Sequence, residues 1–389
     1  MKPSPDNTYA LLAAFLSPYK TDRDRIILAE LARTGRINWA HLLYQANTQL
    51  CTPVWYLSLV QDDLLTTLPE ELQRYLEALT AANRERNQQL LAGLETLLVE
   101  LNRREVTPVL LKGSAALAQQ LHRDPGARIL GDIDFLVEPH QSPLCEEILR
   151  DLGYREAPDP HREPDGLATD TRHHHINPYY LPGTPLVVEV HIKTTYAISA
   201  GVLPRERAMQ DCLAVELGAG KARVMSPTNQ LLLNTLHGNL PNRSFIGSTI
   251  ELRQLLDFAL IDFHFGASID WDSWHQTANR HGLNTIFNTY RTLSVQLLGT
   301  DKAKPFKAGT RAQCHLARIL TRGNLFRPPN ESRGTSGRLA TFALDLYYYL
   351  SLPTWIWRHP CYAPGWASTP DRLRMLLKKV ATKEAWQKI

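Results

Sequence analysis

Three patterns along the 389 residues predict an α+β fold, a mixed sheet with flanking helices and further helical regions at both ends. Apolar residues recur at helical spacing up to about residue 103, short apolar strands alternate with short helices from 107 to 225, and helical spacing then returns. The corresponding division is a helical region at 1–103, a sheet-containing core at 104–225, a helical region packed on that core at 226–300, and a basic helical region at 301–389.

A chain that is 43% hydrophobic and 21% charged can bury a sizeable core, and its length suits two or three domains. The five cysteines are scattered with no C-x-x-C pair, which argues against a zinc ribbon or a disulfide framework and suits a reducing compartment. No apolar stretch approaches the length of a membrane span, and the apolar run at 9–16 lacks a convincing cleavage site, so the expected location is cytoplasmic. Charge is uneven. Residues 301–389 carry 16 Lys and Arg against 5 Asp and Glu, a net of +11, while residues 1–300 carry −7. That asymmetry suits either an anionic partner or a solvated basic face.

In the N-terminal region, helices are expected at 22–34 and 37–48, separated by Gly35, and a long helix at 70–103 follows Pro69. Leu94, Leu97, Leu98 and Leu101 form its stripe for the sheet. Its polar run at 83–89, NRERNQQ, reads as a solvated face.

The core opens with a strand at 107–111 that runs into Lys112-Gly113-Ser114 and a helix at 115–121. A second strand at 133–137 carries Asp132 and Asp134 at and just before its start. Acids spaced i, i+2 on a strand project from one face, and paired like charges there invite a divalent cation. A Gly-Ser turn leading into a helix offers free N–H groups to a phosphate. A helix at 142–152, a strand at 154–157 and a Pro- and His-rich loop at 158–171 follow. Strands at 173–181 and 186–194, joined by Pro-Gly-Thr-Pro, suggest an antiparallel pair. The second of these sets Val188, Val190 and Ile192 against Glu189, His191 and Lys193, so one face is core and the other polar. The triplet His173-His174-His175 admits a zinc site completed by His191, a lining role in a cleft, or a solvated strand.

Beyond the core, a helix at 204–216 and a strand at 222–224 precede a helix at 228–239, capped by Ser226-Pro227 and bearing His237. A helix at 250–263 places Arg253 and Asp257 at i, i+4, the spacing of an intrahelical ion pair worth about 0.3–0.5 kcal/mol. Another runs 272–280, closed by Gly282. In the basic region, helices are expected at 312–321 and 338–352 with a Pro/Gly/Ser loop between them. The aromatic stretch YYYLSLPTWIWRHP suits either core packing or stacking on bases. A basic amphipathic helix at 371–388 suits nucleic acid, an anionic membrane surface or a protein partner.

The order Gly-Ser, a gap, then Asp-x-Asp resembles the DNA polymerase β-like nucleotidyltransferase superfamily. The longer string K-G-small-A-L…R-x-x-x-D-I-D-F-L-V resembles its bacterial "uncharacterised nucleotidyltransferase" family, over roughly residues 80–285. The resemblance implies a polymerase β-like nucleotidyltransferase core and transfer of a nucleoside monophosphate from an NTP, with release of pyrophosphate. It implies Asp132, Asp134 and Glu189 as the catalytic, metal-binding carboxylates for Mg²⁺ or Mn²⁺. The superfamily more often has Asp at the third position. It also implies Lys112, Gly113, Ser114 and Arg128 as nucleotide contacts and places His175, His191 and Lys193 in the cleft. The R-x-x-x-D string at Arg253 and Asp257 belongs to the same pattern, as buttress or substrate contact. The acceptor is left open among RNA, reached through the basic C-terminal region, protein and small molecule. An RNA-modifying toxin-like enzyme is one variant, and a nucleotide-holding module without turnover is the alternative.

Overall fold

The computed structural model describes residues 7–157, 174–195, 197–240, 244–300 and 308–325. Helices α1 (Thr8–Leu16), α2 (Asp22–Arg33), α3 (Trp39–Thr48) and α4 (Thr52–Gln61) lead into the 34-residue α5 (Glu70–Arg103). The core then alternates β1 (Val109–Leu110), α6 (Lys112–Ala118), β2 (Ile133–Leu136), α7 (Ser142–Asp151), β3 (Arg155–Glu156), β4 (Tyr179–Tyr180) and β5 (Val187–His191). Short helices α8 (Ala197–Ala200) and α9 (Arg205–Met209) precede the hairpin of β6 (Leu213–Leu217) and β7 (Gly220–Val224). The remaining helices are α10 (Pro227–Asn239), α11 (Ser244–Gly247), α12 (Leu252–Phe265), α13 (Trp271–Arg280), α14 (Asn284–Leu298) and α15 (Thr310–Leu325).

The seven strands among the described residues join one mixed sheet in the order β3-β4-β5-β2-β1-β7-β6, with β2–β5 and β1–β7 parallel. Residue alternation gives the sheet two different faces. Leu110, Ile133, Phe135, Val188 and Val190 pack with Leu90, Leu94, Leu97, Leu98 and Leu101 of α5 and with Ile148 and Leu149 of α7. The opposite face contributes Val109, Leu111 and Leu136 to a second core, shared with the N-terminal helices and with α10 to α14. Asp134, Glu189 and His191 share that second face, so the helices packed there enclose the polar groups. His191 is fully buried as a result.

Five expectations are corrected. The helix at 204–216 stops at Met209, because Asp211 turns at φ +51° and the next residues pair as β6 with β7 over five register positions. The strand at 173–181 is regular only at Tyr179–Tyr180, with one bridge from His175 to His191. Its Pro178 has no N–H to give a ladder. The polar run at 83–89 is a solvated face only in part, with Glu85, Gln88 and Gln89 exposed. Asn83 and Asn87 are buried and donate to the carbonyls of Pro125, Gly126 and Arg128, and Arg84 and Arg86 bind Asp124 and the Leu130 carbonyl. Asp257 pairs with Arg128 in place of its helical neighbour Arg253. Helix α6 also begins earlier than expected, taking Lys112-Gly113-Ser114 into its first turn. The Pro- and His-rich loop, His173 and the C-terminal segments from 326 onward lie outside the described residues. Among the described residues, no helix is long and apolar enough to cross a membrane.

Candidate active site

The site is assembled by strand register. β2 runs parallel to β5 with Asp134 opposite Glu189 and Leu136 opposite His191, so the three polar side chains stand on one face of adjacent strands. Asp132 lies two residues before Asp134 on the same side of the chain. The loop that delivers Asp132 is fixed from behind by the asparagine and arginine clamp of α5. Asn83 and Asn87, missed from the sequence, share one helical stripe with the buried Leu76, Thr80 and Leu90, the spacing of a packed face.

Asp134 is the centre of the hydrogen bonding. Its Oδ1 accepts from Lys112 Nζ at 2.7 Å and from His191 Nε2 at 2.8 Å. Its backbone N–H donates to Ser114 Oγ at 2.9 Å. Burial alone pushes this carboxyl up, but the Lys112 ammonium and the His191 bond reverse that and hold it well below the usual carboxylate range. The same contact raises Lys112 against the effect of its own burial. Burial and Lys112 oppose protonation of His191, while its bonds to Asp134 and Glu189 favour it and prevail. Glu189 Oε2 lies 3.6 Å from His191 Nε2 and 3.9 Å from His175 Nε2.

Asp132 has the opposite character. Burial, then repulsion from Asp134 and Glu189, pushes its carboxyl up to about 6. The cluster therefore holds more negative charge than its own cations neutralise. Asp134, Glu189 and His191 offer ligand atoms within 4.8 Å of one another, two carboxylates and an imidazole that could hold a metal ion. The residues fit a divalent ion.

The other anticipated residues fall into two groups. Ser114 is buried with its Oγ on the Asp134 amide, and Arg128 is buried with both oxygens of Asp257 on its guanidinium. Gly113 lies against Arg128, where an added Cβ would fall 2.4 Å from Nη1 and 3.1 Å from Leu130 Cγ. His175 and His191 come together, their ring centroids 5.5 Å apart, and His174 is 4.9 Å from His191. Lys193 is half-buried, and its backbone N–H donates to His174.

A cavity of about 370 Å³ opens beside the acids, within the range of small-molecule sites. Lys112, Gly113, Asp132 and Asp134 line one side, and Asn234, His237, Arg253 and Gln254 line another. His237 Nδ1 accepts from Gln254 Nε2 at 3.0 Å, and burial, then Lys112, lowers its imidazole to about 3. None of these four cavity residues except Arg253 and His237 stands out in the sequence, because α10 and α12 meet only in the fold.

A mixed sheet with flanking helices, carrying Asp-x-Asp beside a carboxylate on the neighbouring parallel strand, defines an α+β nucleotidyltransferase fold. The family model described as "Uncharacterised nucleotidyltransferase" matches residues 35–299. The chain belongs to that family. No curated protein and no solved structure matches it.

Proposed function

We propose that this protein transfers a nucleoside monophosphate from an NTP to an acceptor hydroxyl and releases pyrophosphate. The observation that carries the reading is the register of Asp134 against Glu189 on parallel strands, with Asp132 two residues away. Asp132, Asp134 and Glu189 would hold Mg²⁺ or Mn²⁺, which when bound neutralises polyphosphate charge and makes the acceptor oxygen more nucleophilic. The acceptor oxygen forms a bond to the α-phosphorus, and the bond from that phosphorus to the α,β-bridging oxygen breaks. The leaving electron pair goes with pyrophosphate.

The residues divide the work by side. Lys112, Gly113, Asp132 and Asp134 border the cavity and serve the nucleotide. Glu189 takes the acceptor proton as general base, beside His175 and His191. Ser114 and Arg128 act from behind, Ser114 by fixing the Asp134 amide and Arg128 by holding α12 against the Gly113 turn. Lys112 adds positive charge where the polyphosphate lies.

The test is incubation with each α-labelled NTP and Mg²⁺ or Mn²⁺, with and without cell extract, while pyrophosphate is measured. Label in an acceptor with stoichiometric pyrophosphate supports transfer. Nucleotide binding with no pyrophosphate identifies a holding module and overturns the reading.

A further inference from the structure

The ionic groups of the cavity pair off and leave two over. Lys112 meets Asp134 at 2.7 Å, and Arg128 meets Asp257 at 2.8 Å. Asp132 and Arg253, which line the same cavity, form no ion pair among the described residues. Arg253 sits four residues before Asp257 in α12, the spacing for an intrahelical bridge, but Asp257 gives both its oxygens to Arg128. The Arg253 Nη1 group instead donates to the carbonyl of Ile129 at 2.7 Å. Its side chain is half-buried, and its neighbour Arg128 is already committed.

A cation in that position is costly. Removing a guanidinium from water is offset only by an anion or by a full set of acceptors, and one carbonyl is a small part of what five N–H donors need. Burial and then the charge of Arg128 both weaken proton binding by Arg253, so the site gains from an added anion. Asp257 and Glu251 supply some attraction from a distance. The leftover acid, Asp132, is short of positive charge, and the leftover base is short of negative charge. A metal-bound polyphosphate would bring charge of both signs to the cavity that Asp132 and Arg253 line.

We infer that Arg253 is a binding residue for the polyphosphate of the nucleotide, reaching it from α12 across the cavity that Asp132 borders. The inference rests on the nucleotidyl-transfer reading and adds a residue from outside the sheet core. It commits the cavity to phosphate recognition from two elements, α6 through Lys112 and α12 through Arg253. The neutral groups Asn234, His237 and Gln254 then remain for the uncharged part of the nucleotide.

Inorganic tripolyphosphate is the direct probe, because it carries the charge without a base. Its affinity for the full chain is measured by calorimetry with Mg²⁺, alongside the four NTPs, for the wild type, Arg253→Gln and Arg253→Lys. Gln keeps an amide N–H donor of shorter reach and removes the charge, whereas Lys keeps the charge. Arg253→Gln is expected to weaken tripolyphosphate and NTP by about ten- to a hundredfold, the loss of charge-assisted hydrogen bonds. Lys should recover part of that loss, and the salt dependence of binding should be shallower in Gln than in wild type. A purely structural role would weaken Gln and Lys alike and leave the salt dependence unchanged, which overturns the assignment. Equal affinity of Gln and wild type overturns it too, with the transfer reading intact if the wild type releases pyrophosphate. A wild type that binds neither tripolyphosphate nor any NTP defeats both.

Discussion

Arg128 and Asp257, 129 residues apart in sequence, form a buried two-pronged ion pair that joins the Asp132 loop to α12. Arg128 Nε donates to both carboxylate oxygens at 3.0 and 3.1 Å, and Nη2 to one at 2.8 Å. The pair ties the sheet core to the helices packed on its polar face. Breaking it by Asp257→Asn or Arg128→Ala leaves an uncompensated buried charge, at a cost of about 3–5 kcal/mol. Urea denaturation of the two variants checks this. A loss below about 1 kcal/mol would show that the clasp is not structural.

The pH dependence of that pair follows from its sign. The Asp257 carboxyl is buried, which pushes it up, but Arg128 and His122 reverse this and hold it below its unfolded value of about 3.9. A depressed carboxyl contributes stability that is full above the unfolded value and is lost as pH falls through the folded one. The stability gap between wild type and Asp257→Asn should therefore be constant near neutral pH and shrink below about pH 4. Urea midpoints across that range test it, and a gap that widens on acidification contradicts the assignment.

Gly113→Ala should disturb the same clasp from the other side. The new methyl would meet Arg128 Nη1 at 2.4 Å, and that guanidinium is not free to swing because Asp257 holds it. We expect a loss of about 1–3 kcal/mol, the usual cost of overpacking. A melting temperature equal to the wild type would mean that the Arg128 side chain yields easily.

The sequence made much of this legible where the pattern is local. Helix α5 has the bounds that Pro69 and the leucine stripe suggest, and β2 carries its acids where alternation puts them. The resemblance picks out Asp132, Asp134 and Glu189, and it is the register of β2 on β5 that sets Asp134 beside Glu189. Partnerships across the chain were not legible. An i, i+4 Arg-Asp spacing is satisfied by a local bridge as readily as by a distant arginine, and Asp257 takes the distant one. A polar helical run looks the same whether it faces water or the backbone carbonyls of a buried loop, as Asn83 and Asn87 do. β6 is an edge strand with little burial, and its five-position pairing with β7 is a partnership that composition does not reveal.

Ser114→Ala separates a positioning role from a phosphate contact. Its Oγ is the acceptor for the buried Asp134 amide, so removal should cost about 1–3 kcal/mol of stability. Tripolyphosphate affinity, by calorimetry, should change little. A large loss of phosphate affinity with stability unchanged would instead put the hydroxyl on the ligand.

Glu189→Gln should lower turnover by about a hundred- to ten-thousandfold, the range for loss of a general base. NTP affinity should stay near wild type, because Glu189 is not among the residues lining the cavity. Normal turnover would move the third carboxylate elsewhere.

The most direct measurement compares the wild type with the double variant Asp132→Asn, Asp134→Asn under each α-labelled NTP, Mg²⁺ or Mn²⁺ and cell extract. The wild type should label an acceptor and release pyrophosphate, while the folded double variant, which lacks the repulsion between the two acids, does neither. A double variant that labels at the wild-type rate would contradict the site.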